Sequence, residues 1–388
     1  MFADIFLCVL MTAIVFFFTV AVNNFTLASI LTAAFFLFIY FAMTFAERKN
    51  KGSGVKYRRI YQITFALFFC VAFIGKLLDE RGSMAITETA MSNGELPFCH
   101  IAIPQILLPL VITKNLVFPA RISGHYAAAA SMIAIWLCVT LTIGRGWCSH
   151  VCFYGGWEEG FSRLGKKKRL NLLSKNKDIR NFQMGFFAFI VLASLAEMAA
   201  IYCQWFCPFK LVTEYSPVND IPSLIAAIIF IGIFFAFVVV LPILSKRRTQ
   251  CSAICPFGAF ASLTDKLSMF KIQIDTKKCK GCLKCAAVCP FGAIDITTIQ
   301  QKKGAPEFTC AKCGECIGAC SEKAIGYKFR FEKTCKPAPK TKFGKALQEI
   351  FNPARAFRFA AYTFAFIMGS GFFIYTVQKI ISLVGGAK

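Results

Sequence analysis

Residues 279–290 read CKGCLKCAAVCP, and residues 310–321 read CAKCGECIGACS. Both runs separate their four cysteines by two, two and three residues, and a proline follows the last cysteine of the first run. Bacterial-type ferredoxins with two clusters have this spacing, and in them the fourth cysteine of each run ligates the cluster of the other run. The pattern therefore predicts two [4Fe–4S] clusters in an inserted α+β domain of the bacterial ferredoxin type.

The exchange of the fourth cysteine defines the two predicted ligand sets. The first cluster is expected on Cys279, Cys282, Cys285 and Cys320. The second is expected on Cys310, Cys313, Cys316 and Cys289. A pair of zinc knuckles is the alternative, because these also use Cys-x2-Cys. Eight cysteines in this order, with the three-residue step and Cys-Pro, favour the clusters.

The composition around this domain is typical of a multi-span helical membrane protein. Of the 388 residues, 57% are hydrophobic and 16% are charged, whereas soluble domains carry about 25% charged residues. A helix that crosses the bilayer core needs about 20 apolar residues. About seven transmembrane helices are predicted, at residues 4–22, 25–46, 60–78, 126–143, 182–202, 221–244 and 357–383.

The net charge of +24 lies in short basic blocks beside these apolar runs, at residues 47–59, 166–180, 246–248 and 328–358. Such blocks are typical of the positive-inside rule, so the charge indicates membrane topology and not nucleic-acid binding. With the N-terminus inside, the blocks share the cytoplasmic side. We therefore expect a multi-pass protein of the bacterial or archaeal cytoplasmic (inner) membrane, with its ferredoxin domain on the cytoplasmic side.

Four segments follow from this topology. Transmembrane helices occupy residues 1–78, a membrane core with cysteine pairs occupies 79–245, the cytoplasmic ferredoxin-like domain occupies 246–353, and a last transmembrane helix occupies 354–388. Within the second segment, residues 98–117 are apolar but broken by Pro104 and Pro109, which predicts a re-entrant or interfacial helix outside. No internal repeat is visible outside the ferredoxin runs.

Three further cysteine pairs share the spacing Cys-x3-Cys. They are Cys148/Cys152, Cys203/Cys207 and Cys251/Cys255. Residues four apart on a helix face the same way, so each pair offers two thiolates to one point. Two such pairs can complete a site with four thiolates, and one pair cannot.

The predicted topology sorts these pairs between the two faces of the membrane. Two pairs follow the fourth and sixth spans and are the candidate ligands of an inner cluster: Cys148, Cys152, Cys251 and Cys255. The third pair ends the fifth span, outside, where the candidate ligands of an outer cluster are Cys99, His100, Cys203 and Cys207. Structural thiols or reversible disulfides are the alternatives for both sets.

In the order of these motifs, the chain resembles the membrane-bound polyferredoxins of the NapH/NosR/CcoG type. The resemblance rests on GWCSHVC at 146–152, CSAICPFGA at 251–259 and the ferredoxin runs, and it covers about residues 98–331. Phe153 departs from the proline usual after the first pair, and the pair Cys203/Cys207 is not a general feature of the family. The outer flavin domain of NosR and the extracytoplasmic C-terminal domain of CcoG have no counterpart here.

The resemblance implies electron transfer between the membrane or cytoplasm and proteins outside. The expected donor is a cytoplasmic ferredoxin, flavodoxin or dehydrogenase, or a quinol, and the expected acceptor is an extracytoplasmic redox protein. The chain is then an electron-transfer subunit of an oxidoreductase system and not a stand-alone enzyme. A protein of metal handling, maturation or transport that uses its clusters is the alternative, and the sequence decides neither on quinone nor on flavin.

Overall fold

The computed structural model of this chain is mostly helical. It describes residues 2–22, 25–79, 95–97, 99–114, 126–165, 168–170, 176–210, 218, 220–331, 341, 344 and 348–385. The helices are α1 Phe2–Val15, α2 Leu27–Lys49, α3 Val55–Asp79, α4 Ile103–Thr113, α5 Ala129–Leu141, α6 Gly146–His150, α7 Phe153–Phe161, α8 Asn176–Ala196, α9 Ile201–Trp205, α10 Ile221–Phe234, α11 Leu241–Ser245, α12 Thr249–Ala253, α13 Pro256–Thr264, α14 Lys284–Ala287, α15 Ile296–Gln300, α16 Glu315–Ala319 and α17 Pro353–Val384. The strands are β1 Glu95–Pro97, β2 Tyr126–Ala128, β3 Phe270–Ile274 and β4 Ile325–Phe329.

Five helices of the described chain are long and apolar enough to cross a membrane, which agrees with a membrane protein. They are Phe2–Ala21, Leu27–Lys49, Lys177–Ala196, Ile221–Ser245 and Pro353–Val384. The first and fourth of these run on through π-helical turns at Phe16–Ala21 and Phe235–Val240. The expected count of seven is not confirmed. Of the other two expected spans, Val55–Asp79 has 25 residues and the length of a span.

The expected span at 126–143 is shorter in the structure. Helix α5 has 13 residues, or about 20 Å at 1.5 Å per residue, against about 30 Å of bilayer core. Its predicted first turn is instead strand β2, which pairs antiparallel with β1. The expected re-entrant segment contains helix α4, which has only 11 residues with Pro104 in its first turn and Pro109 inside.

The described chain divides into two compact units, each assembled from separate stretches of sequence. The first unit comprises Met1–Ala72, Val139–Gly156 and Asp265–Lys388. The second comprises Phe73–Cys138 and Trp157–Thr264. The ferredoxin runs and the pair Cys148/Cys152 thus belong to the first unit, and the other two cysteine pairs belong to the second.

In the first unit, helices α2, α3 and α17 pack through aromatic side chains. Phe36 of α2 contacts Tyr61 of α3 and Phe366 of α17, with ring centroids 5.6 and 5.1 Å apart. The Tyr61 hydroxyl donates to the Ala365 carbonyl at 2.7 Å. Buried rings of this size supply most of the apolar area that helix packing removes from lipid or water.

In the ferredoxin-like part of the first unit, the two cysteine runs lie in sequence between two strands that pair antiparallel. Strand β3 pairs with β4 from Phe270 opposite Phe329 to Ile274 opposite Ile325. Its core consists of Ile272, Ile274, Cys285, Ile294, Cys316, Ile317 and Ile325, with Cys279, Cys310 and Cys320 packed against it. Phe357 at the start of α17 stacks on Tyr327 of β4 at 4.5 Å, so the last helix is joined to this sheet.

In the second unit, helix α8 is the axis on which α4, α9, α12 and α13 pack. Sequence analysis extended this span to residue 202, but α8 ends at Ala196. Met198 adopts a positive φ of 47°, and the Ile201 amide bonds back to the Ser194 hydroxyl at 3.3 Å. The ring of Tyr202 contacts the ring of Phe186 in the middle of α8. The segment after α8 therefore folds back along this helix.

Candidate metal centres

The two ferredoxin runs have the same backbone shape. In each, the second and fourth residues after the first cysteine are left-handed: Gly281 and Leu283 with φ of 70° and 56°, and Lys312 and Gly314 with φ of 53° and 82°. A left-handed conformation costs a residue other than glycine about 1–2 kcal/mol. Both runs thus adopt a tight turn that wraps three cysteines around one point.

The structure brings the fourth cysteine of each run to the other run. The Cys285 thiol interacts electrostatically with Cys279 and with Cys320. The Cys316 thiol interacts with Cys313, Cys310 and Cys289. Burial raises the pKa of the Cys310 thiol to about 12, and the neighbouring Cys289 adds to this increase. The Cys316 thiol also interacts with Cys285 of the first run, and Cys282 is exposed in the first loop. The division of the eight thiols into two ligand sets stays a prediction.

Backbone hydrogen-bond donors lie beside two of the ferredoxin thiols. Backbone amides point at cysteine sulfurs, from Gly281 to Cys279 at 3.4 Å and from Ala293 to Cys289 at 3.3 Å, and such hydrogen bonds tune cluster potentials. Within the described residues, no three Cys, His, Asp or Glu side chains are close enough to hold one metal ion.

The second run is anchored to helix α3 and to Asp265 by ion pairs. Glu315 of this run accepts from Arg58 of α3 at 2.9 Å and from the adjacent Arg59. The Arg58 and Glu315 side chains are 3% and 4% exposed. Lys312, also buried, donates to Asp265 at 2.7 Å and to the Ile143 carbonyl at 2.9 Å.

The turn at Cys148–Cys152 lies against this second run within the first unit. The Ser149 hydroxyl donates to the Ala311 carbonyl, between Cys310 and Cys313, at 2.5 Å. The Gln62 side-chain amide donates to the Cys148 and Cys152 carbonyls, at 3.1 Å each. Asp265 accepts from the Arg145 amide at 2.8 Å. One cysteine pair is therefore fixed next to the second predicted cluster.

The turn at Cys251–Cys255 is held by the same kinds of group in the second unit. The Gln183 side-chain amide donates to the Cys251 carbonyl at 3.1 Å. The Glu158 carboxylate accepts from the Gln250 and Cys251 amides at 2.7 and 3.1 Å. Glu159 forms an ion pair with Arg248 at 2.5 Å, and both side chains are fully buried.

The two turns are thus a structural repeat that sequence analysis did not detect. Each reads Arg-x2-Cys-Ser-x2-Cys, from Arg145 and from Arg248, with an aromatic residue and a glycine two and three positions after the last cysteine. A glutamine three residues after an arginine, Gln62 or Gln183, holds each turn from a long helix. This pattern of arginine and glutamine was the signal that could have revealed the repeat.

The pair Cys203/Cys207 lies near Cys251/Cys255 in the second unit. The predicted topology put these two pairs on opposite faces of the membrane. Tyr202 interacts electrostatically with Cys203, Cys207 and Cys255, and its hydroxyl accepts from the Gln250 side chain at 3.4 Å. The physical reason is the fold-back after Ala196, which returns this pair along α8.

The other expected ligands of the outer site lie in the same unit. The ring of His100 meets Phe257 edge-on at 5.0 Å. Burial lowers the pKa of His100 to about 3, so its imidazole is neutral at physiological pH. Cys99 is buried. The expected grouping of Cys148/Cys152 with Cys251/Cys255 joins residues of different units and stays a prediction.

Comparison with protein families finds two kinds of iron–sulfur domain. A model described as a 4Fe-4S dicluster domain matches residues 271–321, which contain both ferredoxin runs. A model described as a 4Fe-4S binding domain matches three segments, 125–171, 183–216 and 227–275. Each of these three segments contains one Cys-x3-Cys pair.

Curated relatives are distant. The chain is 25% identical over 223 residues to the Escherichia coli protein named "Putative electron transport protein YccM", over 55% of this chain and 60% of that one. It is 27% identical over 182 residues to the "Uncharacterized protein MJ0749" of Methanocaldococcus jannaschii, over 38% of this chain and 70% of that one. No solved structure matches. The chain contains 4Fe-4S ferredoxin-type domains and is related to a protein named for electron transport, which supports a general electron-transfer role.

Proposed function

We propose that this chain is a membrane electron-transfer protein between a cytoplasmic or quinol donor and an extracytoplasmic acceptor. A [4Fe–4S] cluster, when bound, accepts and releases single electrons at a potential that its surroundings set. The polypeptide then has to hold such centres close together, shield them from water and present one of them to a partner.

One observation carries the proposal: the second cysteine run has neighbours on both sides within one compact unit. On one side, Cys289 of the first run lies beside its thiols. On the other side, Ala311 and Glu315 bind the Cys148 turn and Arg58 of the long helix α3. In this proposal the second cluster site lies between the first site and helix α3, as an intermediate relay would.

Exposure and charge favour an order along this route. In the first run Cys282 is exposed, and four exposed lysines lie in or just before that run: Lys277, Lys278, Lys280 and Lys284. In the second run Cys313 and Cys316 are buried. A positive surface raises the encounter rate with an acidic partner, so we infer that a soluble acidic donor such as a ferredoxin or flavodoxin docks at the first run.

The test is to purify the chain with its clusters and then to reduce it. Protein purified without oxygen should contain at least about eight iron atoms and as many sulfides per chain, since each cluster holds four. Electron paramagnetic resonance after reduction should show two interacting clusters. In nanodiscs, a reduced acidic flavodoxin should reduce both clusters faster at low salt than at high salt. Zinc without iron, or iron that no soluble donor and no quinol reduces, would exclude the proposed role.

A further inference from the structure

The second unit contains a set of four cysteines that the ferredoxin clusters do not use. Cys203 lies on the short helix α9 and Cys207 just after it, whereas Cys251 lies on α12 and Cys255 just after that helix. All four side chains are buried, with exposed fractions of 4–8%. Each pair has the four-residue offset that directs two thiols to one side of a helical turn.

A hydrogen bond between Tyr202 and Gln250 links the two pairs, and Gln105 fixes the first of them. The Tyr202 amide donates to Gln105 at 2.8 Å, and the other end of the Gln105 side chain donates to the Cys203 sulfur at 3.7 Å. The Tyr202 hydroxyl accepts from Gln250, the residue before Cys251. Tyr202, next to Cys203, is thus fixed at its amide by Gln105 and at its hydroxyl by Gln250, next to Cys251.

The surroundings of these thiols resemble those of the ferredoxin runs. The Gly258 amide donates to the Cys255 sulfur at 3.4 Å, as the Gly281 amide does to Cys279. A Cβ atom at Gly258 would lie 2.7 Å from the Cys251 carbonyl oxygen, so glycine permits this close approach. The Arg248 cation is buried near Cys251 and is paired with the Glu159 carboxylate, so this ion pair fixes the start of the turn.

From this geometry we propose that Cys203, Cys207, Cys251 and Cys255 hold a third [4Fe–4S] cluster. The ligand set takes one pair from each of the groups expected from sequence, and it leaves Cys99 and His100 outside. It deepens the proposed function, because a centre in the second unit adds a redox site outside the ferredoxin part. A four-thiolate set with N–H donors to sulfur is the donor chemistry of such clusters.

The test counts iron in the full chain, purified without oxygen. The unaltered chain should hold about twelve iron atoms. The double variant Cys203→Ser/Cys255→Ser, which removes one ligand from each helix, should retain about eight, with the ferredoxin signals in electron paramagnetic resonance unchanged. Those unchanged signals show that the first unit of the variant has folded. The matched control Cys8→Ser/Cys70→Ser, with two cysteines outside the proposed set, should keep about twelve.

A second variant tests the geometry and not only the count. Gln105→Leu removes the hydrogen bond to the Cys203 sulfur, so iron should stay near twelve while the midpoint potential of one cluster falls. Cys99→Ser should change neither quantity. About eight iron atoms in the unaltered chain, or equal iron in the unaltered chain and the double variant, would overturn the third cluster. A loss of four iron atoms in Cys99→Ser would overturn this ligand set, and iron near zero in the unaltered chain would defeat the proposed function itself.

Discussion

The turns at Cys148–Cys152 and Cys251–Cys255 share one local structure but differ in what they contact. In both, a glutamine from a long helix binds cysteine carbonyls, and a carboxylate receives backbone amides at the start of the turn, Asp265 in the first unit and Glu158 in the second. The contacts on the thiol side differ. The first turn meets the second ferredoxin run through Ser149, and the second turn meets another cysteine pair through Tyr202.

This difference teaches that the spacing alone does not specify what a pair binds. A Cys-x3-Cys turn supplies two thiols in a fixed orientation, and its neighbours decide whether a second pair completes a site. In the second unit a fold-back brings that second pair. In the first unit the neighbouring element is a ferredoxin loop with its own four-cysteine set, so Cys148 and Cys152 are candidates for the next step of a relay.

The largest expected effect comes from a thiol at the centre of the relay. Cys316→Ser should remove about four iron atoms and abolish reduction of any centre beyond the ferredoxin part, because Cys316 is buried among the thiols of both runs. Iron analysis and stopped-flow reduction by a soluble donor measure both effects. Cys138→Ser, the removal of a thiol outside every proposed ligand set, is the control. Normal reduction of distal centres in Cys316→Ser would show that electrons bypass the second cluster.

Loss of a buried ion pair should destabilise the protein more beside the Cys251–Cys255 turn than beside the Cys148–Cys152 turn. Arg248→Met removes the fully buried cation that pairs with Glu159, beside which the half-exposed Arg163 remains, and loss of one buried partner costs about 3–5 kcal/mol. Arg58→Met leaves Glu315 paired with Arg59, so its cost should be smaller. Thermal unfolding in detergent, followed by intrinsic fluorescence, compares the two variants.

The same experiment has an internal control. In Arg248→Met/Glu159→Gln the stranded charge is removed as well, so part of the lost stability should return. If the double variant is no more stable than Arg248→Met, the cost comes from lost packing of the long side chain and not from the unpaired carboxylate.

Sequence reasoning worked where the chemistry is local. The ferredoxin spacing places three ligands of each cluster within seven residues, and the apolar runs of the five spans need only composition. It did not anticipate the reversal at Met198, a residue other than glycine or proline, so the predicted span runs to residue 202 whereas α8 ends at Ala196. The ligand grouping of Cys203 stays a prediction. It could not find Arg58 and Glu315 as partners, because buried pairs so far apart in sequence leave no periodic signal.

The two glutamines test whether the repeat is functional. Gln62 donates to two cysteine carbonyls and accepts from Arg58 at 3.0 Å, whereas Gln183 donates to one carbonyl. A net hydrogen bond contributes about 0.5–1.5 kcal/mol, so Gln62→Leu should destabilise more than Gln183→Leu. Gln183→Leu should alter the spectrum of the third cluster alone. Equal losses, with unchanged cluster spectra in both variants, would make the repeat only structural.

The smallest expected effect concerns the exposed first run. Lys284→Ala removes one exposed charge between Cys282 and Cys285, and a unit charge about 8 Å away in water is worth only about 0.5 kcal/mol. Stability should hardly change, while the second-order rate of reduction by an acidic flavodoxin should fall about twofold at low salt. The decrease should disappear at 0.5 M salt, because added ions screen exposed charges.

Lys328→Ala, which removes another exposed charge, on β4, is the matched control. Equal rate losses for the two variants would mean that net charge and not a docking site at the first run governs the encounter, and a quinol would then become the favoured donor.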